Sequence, residues 1–243
     1  MECSDEGISV SLKDIAIGFE MTFAMIRASL GDANAWEGSI RGFEAEDAIR
    51  QPTKDGIVFT GSSSFTFWST LAQDMAPLAV LNRAFGGSMI GDVVRYADRI
   101  VIPYEPRIVV LFAGANDVVT PGPDPARRVA DGFAAFVARI HGALPETLIC
   151  YVAITPTPKG RKFWPLAQEA NRLIQEQVTS DSRLRFIDLT DLLVKSDGTP
   201  DETLYRRDGH PNERCYALWA SRLKPILEVE LAAQQAHRAD VER

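Results

Sequence analysis

From residue 56 onward, short unbroken apolar runs alternate with longer stretches in which apolar residues recur every three or four positions. The runs are "GIVFT" (56–60), "LAVLN" (78–82), "RIVVLFAG" (107–114), "TLICYVAIT" (147–155) and "RLRFIDL" (183–189), each bounded by turn residues. Continuous apolar runs of this length suit strands covered on both faces, as in a parallel sheet. Between and after them, "DPARRVADGFAAFVARIHGAL", "FWPLAQEANRLIQEQV" and "NERCYALWASRLKPILEVELAAQQ" carry the helical period. Residues 11–50 read as helix in two pieces with a break near Gly31–Asp32, and "IAIGFEMTFAMIRASL", interrupted by Glu20 and Arg27, reads as an amphipathic helix. Alternating strand and helix predicts an α/β, three-layer sandwich: about five parallel strands with helices on both faces. Residues 1–54 are expected to form a helical extension packed on a domain spanning 55–243, in a single domain overall.

Composition narrows the function classes. The chain has 243 residues and a formal net charge of −7. That acidity argues against a nucleic-acid partner, which favours a basic face. Cys3, Cys150 and Cys215 are far apart and form no CxxC pair, so neither a zinc site nor a redox pair is expected. The acidic start "MECSDEG" lacks the features of a secretory signal, and no segment has the roughly 20 apolar residues of a membrane span. These features predict a cytoplasmic location with no membrane span. Homo-oligomerisation stays open.

In open α/β sheets, ligands bind beyond the carboxyl ends of the strands. The segments there are "GSSS" (61–64), "NRAFGGS" (82–88), "GANDV" (114–118) and "TPTPKGR" (155–161), with "RRDGHPN" (206–212) before the last helix. A serine hydroxyl needs an adjacent base to become a nucleophile. Of the three histidines, His141 lies within a helical period and His237 in a polar tail, whereas His210 sits in a Gly-Pro-Asn loop two residues after Asp208. An aspartate beside a histidine can orient the ring and stabilise the imidazolium. Backbone amides at Gly86–Gly87 and the side-chain amide of Asn116 can supply donors for a developing oxyanion. These considerations do not choose among Ser62, Ser63 and Ser64. The absence of a glycine at position 65 does exclude the G-x-S-x-G elbow.

The blocks "GSSS", "GGS", "GAND" and "DGH", in this order and at these strand ends, resemble those of the SGNH or GDSL-type serine hydrolases over roughly residues 55–227. "IVFTGSSSFTFW" and "NRAFGGS" resemble the esterase and lysophospholipase-like branch. The resemblance implies a flavodoxin-like strand order. It also implies that Ser63 is the nucleophile, with Ser62 where the family has aspartate, and that His210 is the base. Ser63, Gly87 and Asn116 would form the oxyanion hole. The family's aspartate stands three residues before the histidine, where this chain has Arg207. Asp208, two before, is the candidate third member; residues two apart in an extended segment point to the same side. Asp117 and Asp188 are read as loop-bracing residues, and Trp36, Trp164 and Trp219 as packing residues. Phe65, Phe67 and Trp68, which follow the candidate nucleophile, could line an acyl pocket but are read mostly as packing beneath the first helix.

The implied function is a serine ester hydrolase, a carboxylesterase acting on short-chain or small acyl esters. It would need no cofactor and no metal, and its partner would be a small-molecule ester. The alternatives are an acyltransferase using the same triad and a non-catalytic binding module on the same fold.

Overall fold

A computed structural model describes residues 12–241, with side chains from 16 to 236; Cys3 and the His237 side chain lie outside them. The helices before the first strand are α1 (Leu12–Ser29) and α2 (Glu37–Ile49). There follow β1 (Ile57–Gly61), α3 (Ser63–Thr66), α4 (Leu71–Asp74), β2 (Val80–Asn82), α5 (Ile90–Ile100) and β3 (Ile108–Phe112). Next come α6 (Ala115–Val119), α7 (Pro125–Ala143), β4 (Leu148–Val152), α8 (Trp164–Val178), β5 (Leu184–Ile187), α9 (Thr190–Leu193) and α10 (Glu213–Val241).

The apolar runs form a five-stranded parallel sheet in the order β2-β1-β3-β4-β5. β1, β3 and β4 are buried at every position, which is why they read as unbroken apolar runs rather than as alternation. Successive strand residues nonetheless face opposite ways. Val109, Leu111, Ile149 and Tyr151 join one core with α5, α7 and α8. Ile108, Val110, Cys150 and Val152 join a second core with α9 and α10. The helices match this division: α10 buries Cys215, Tyr216, Trp219, Leu223 and Leu227 at close to four-residue spacing, and α7 buries Val129, Ala130, Phe133, Phe136 and Ile140. The result is a three-layer α/β sandwich.

The strand order fixes where a ligand can sit. From β1 the chain passes to β2 on one side, then crosses to β3 on the other, so the switch point lies beyond β1 and β3. Gly61 pairs with Phe112, so the two strands finish level. The segments carrying Ser63 and Asn116 therefore leave the sheet side by side.

α1 departs from the amphipathic expectation. Ala24 is buried, but Phe19, Phe23, Ile26 and Leu30, spaced along one outward face, are 54–81% exposed. Glu20 and Arg27 are too few to make that face polar. Among the described residues, no helix is long and apolar enough to cross a membrane.

Candidate active site

Ser62 and Ser63 occupy the sharp turn where β1 runs into α3. Gly61 makes the turn possible: its φ is +133°, and a Cβ there would lie 2.0 Å from the Phe112 carbonyl oxygen. Ser62 is the residue before α3 and is buried, whereas Ser63 begins the helix and is half-buried. At the first helical position, the Ser63 N–H has no carbonyl acceptor within its own helix. Tyr216 of α10 donates its hydroxyl to the Ser64 carbonyl at 2.8 Å, tying the short helix to the long one.

His210 reaches the same place from the segment before α10. Its Nε2 lies 2.9 Å from Ser63 Oγ. The loop is held by several contacts. Arg206 N–H donates to the His210 carbonyl at 2.7 Å, and Gly209 N–H donates to the Arg206 carbonyl at 2.9 Å. Tyr205 Oη donates to the Pro156 carbonyl, also at 2.9 Å, joining the loop to the segment after β4. The Phe67 ring meets the imidazole edge to face at 4.7 Å. Phe65 and Trp68 are core residues, packed with Trp219, so of these three aromatic residues only Phe67 contacts the imidazole.

The two-residue spacing lets Asp208 reach the ring. Its Oδ1 accepts the His210 backbone N–H at 3.0 Å, and its Oδ2 stands 3.1 Å from Nδ1. The oxygen is off the Nδ1–H direction, so Nδ1 has close electrostatic contact without an aligned hydrogen bond. Partial burial pushes the Asp208 carboxyl up; the His210 N–H and ring, with Arg206, outweigh this and hold it below the ordinary range.

Asn116 is on α6, beyond β3. Its side-chain amide donates to Ser62 Oγ at 2.8 Å and to the Ser88 carbonyl at 2.9 Å. A carbonyl can only accept, which fixes the nitrogen end of the amide on that side. Ser88 in turn donates its hydroxyl to the Phe85 carbonyl at 2.9 Å. Gly87, in the same loop, has φ +79°, and a Cβ there would lie 2.5 Å from Met25 Cγ. Met21 and Met25 of α1 thus rest directly on Gly86–Gly87, while Trp36 donates Nε1–H to the Gly86 carbonyl at 2.9 Å. Neither the Ser88 carbonyl nor the α1 methionines stood out in the sequence, because each acts through shape or backbone; Phe67, read mostly as packing, also meets the imidazole. The acidic neighbour Asp117 is buried and accepts the Ile90 N–H at 3.0 Å, bracing the start of α5. Asp188 similarly accepts Thr190 N–H at 2.8 Å, and His141 contacts the Thr147 carbonyl away from this cluster.

An apolar cavity of about 80 Å³ adjoins the Asn116 turn, lined by Ala115, Val118, Ile154, Phe163 and Trp164 among others. The larger cavities, of about 430 and 510 Å³, involve the starts of the strands at the opposite end of the sheet. Among the described residues, no group of three or more His, Cys, Asp or Glu side chains could hold a metal ion.

Solved structures with a similar fold include a Streptococcus pneumoniae protein provisionally named as a platelet activating factor. It is 19% identical, with a TM-score of 0.70, covering 88% of this chain and 98% of its own. A GDSL-like lipase from Bacteroides thetaiotaomicron is 19% identical, with a TM-score of 0.65 and coverage of 78% and 97%. A lipase/acylhydrolase from Enterococcus faecalis is 20% identical, with a TM-score of 0.58 and coverage of 72% and 94%. No curated protein matches the sequence. Residues 49–218, most of the chain, match the model of the GDSL-like lipase/acylhydrolase family; the chain belongs to this family and is a hydrolase.

Proposed function

We propose that the protein is a serine carboxylesterase for small acyl esters, with Ser63 as nucleophile and His210 as base. The observation that carries this reading is the 2.9 Å contact between Ser63 Oγ and His210 Nε2 at the switch point of the sheet. Ser63 Oγ attacks the ester carbonyl and its proton passes to Nε2. The tetrahedral oxyanion is held by the Ser63 and Gly87 N–H groups and the Asn116 amide. The carbon–oxygen bond to the alcohol then breaks, and the alcohol departs with the proton from Nε2. Water attacks the acyl-serine by the same route and releases the acid. Asp208 stabilises the imidazolium across its 3.1 Å contact with Nδ1.

Asn116 has a competing acceptor in Ser62 Oγ, so one of its N–H groups turns from Ser62 to the oxyanion as charge develops. The test is a fluorophosphonate label followed by peptide mapping, with nitrophenyl acetate turnover as the activity. The adduct is expected on Ser63 and turnover is expected to vanish in Ser63→Ala. An adduct on Ser62 or Ser64 would overturn the assignment.

A further inference from the structure

The base sits among cations. Residues 155–163, after β4, carry Lys159, Arg161 and Lys162 and no acid; residues 205–210 carry Arg206 and Arg207 against the single acid Asp208. These two segments therefore hold a formal excess of positive charge in a chain whose net charge is −7. They are also joined: Tyr205 Oη bonds to the Pro156 carbonyl, and the Lys159 stem crosses Gly209, where a Cβ would be 3.1 Å from Lys159 Cδ. The Arg206 guanidinium lies 5.3 Å from the centre of the Phe67 ring, itself in contact with His210.

Elsewhere the chain pairs many arginines with carboxylates, among them Arg83, Arg99, Arg172, Arg183 and Arg185. Among the described residues, no carboxylate lies within 4 Å of Lys159, Arg161, Lys162 or Arg207, all of them exposed. Clustered unpaired charges of one sign repel one another, and an opposite charge arriving between them relieves that repulsion.

Their position assigns the half of the substrate concerned. The leaving alcohol takes its proton from His210 Nε2, so it departs past the imidazole, beside the loop that carries Arg207 and the Lys159 stem packed on Gly209. The carbonyl oxygen of the ester turns to the Gly87 and Asn116 side. Resting on the serine esterase reading above, we propose that the preferred substrate carries an anionic group, a carboxylate or phosphate, on its alcohol half, and that Lys159 and Arg207 select for it. Arg206 contributes to the same field but also lies against Phe67 and acts on Asp208, so its substitution would not isolate charge selection.

The probe pair is the acetyl ester of 4-hydroxybenzoate, free as the carboxylate or blocked as its methyl ester, with each kcat/KM divided by the spontaneous hydrolysis rate. The wild type is expected to favour the carboxylate about tenfold or more at low salt. That preference should shrink as ionic strength rises, since exposed charges are screened over about 10 Å at 0.1 M. In Lys159→Gln/Arg207→Gln the ratio should fall about tenfold. An acetylated sugar phosphate against the acetylated neutral sugar, followed by acetate release, separates phosphate from carboxylate selection. Equal losses on charged and neutral esters, or a ratio indifferent to salt and to both substitutions, would overturn the proposal while leaving the esterase reading intact. No hydrolysis of either ester by the wild type, with no phosphonate adduct on Ser63, would remove the reading beneath it.

Discussion

Ser62 and Ser63 are neighbours with the same hydroxyl and different surroundings. Ser62 is buried and already accepts a hydrogen bond from Asn116, while Ser63 faces His210 Nε2. Ser63→Ala should therefore lower kcat on a short-chain ester by at least about 10³. Ser62→Ala, which only frees an Asn116 donor, should change it less than tenfold, with circular dichroism confirming the fold of both. Asp208→Asn removes a charge from the imidazolium without breaking an aligned hydrogen bond to Nδ1. Its expected loss is about 10–10², well short of the ~10⁴ in the serine protease example, where the aspartate bonds the ring directly. Wild-type kcat in Asp208→Asn would leave Ser63 and His210 acting as a dyad. Local sequence physics could not choose among the three serines because the deciding contact is 147 residues away in the chain. The family's block pattern selected Ser63. The same pattern left Asp208 in doubt, and only the geometry of the 206–209 turn brings its carboxylate to the ring.

At the scale of elements, polar side chains brace the joins between helices and sheet. Asp117 bonds the first N–H of α5, and burial pushes its carboxyl up from the ordinary 3.8 to about 6, with the Ile90 N–H and Arg128 pulling back only in part. A carboxyl raised by folding contributes stability that is complete below its unfolded pKa and is lost as pH climbs through the folded one. Stability should thus fall by up to about 3 kcal/mol between about pH 4 and 6 from this group alone. Asp117→Asn keeps an acceptor for Ile90 and should flatten that part of the curve, as read from urea midpoints across the range. The buried Arg83, next to β2, pairs with Asp47 of α2, and both bond Tyr104 Oη. Asp47→Ala should cost about 3 kcal/mol, because it strands most of that charge under α2. The strands were legible because burial on both faces leaves an unbroken apolar signature. Their ends were not, since Ala113, Ala153 and Ile154 stay buried after leaving the ladder. The outward face of α1 was misread because helical period registers where apolar residues fall and not which side the rest of the chain covers.

For the molecule as a whole, alternation of strand and helix was enough to predict layers. The strand order came from the family resemblance, and that order puts the switch point between β1 and β3. The proposed Ser63–His210 chemistry uses no metal at any step, so incubation with EDTA should leave ester turnover unchanged. A loss restored by added zinc or manganese would refute the serine mechanism. The long reach from Ser63 to His210 also has a meaning in time. On the proposed assignment, a chain emerging from synthesis has its nucleophile by residue 63 and all five strands by residue 187, yet it has no base until residue 210. The second core stays open until α10 delivers Trp219, Leu223 and Leu227. If Ser63 and His210 act as proposed, the protein carries through most of its manufacture a serine no more reactive than any other, and gains its base only after the last strand is made.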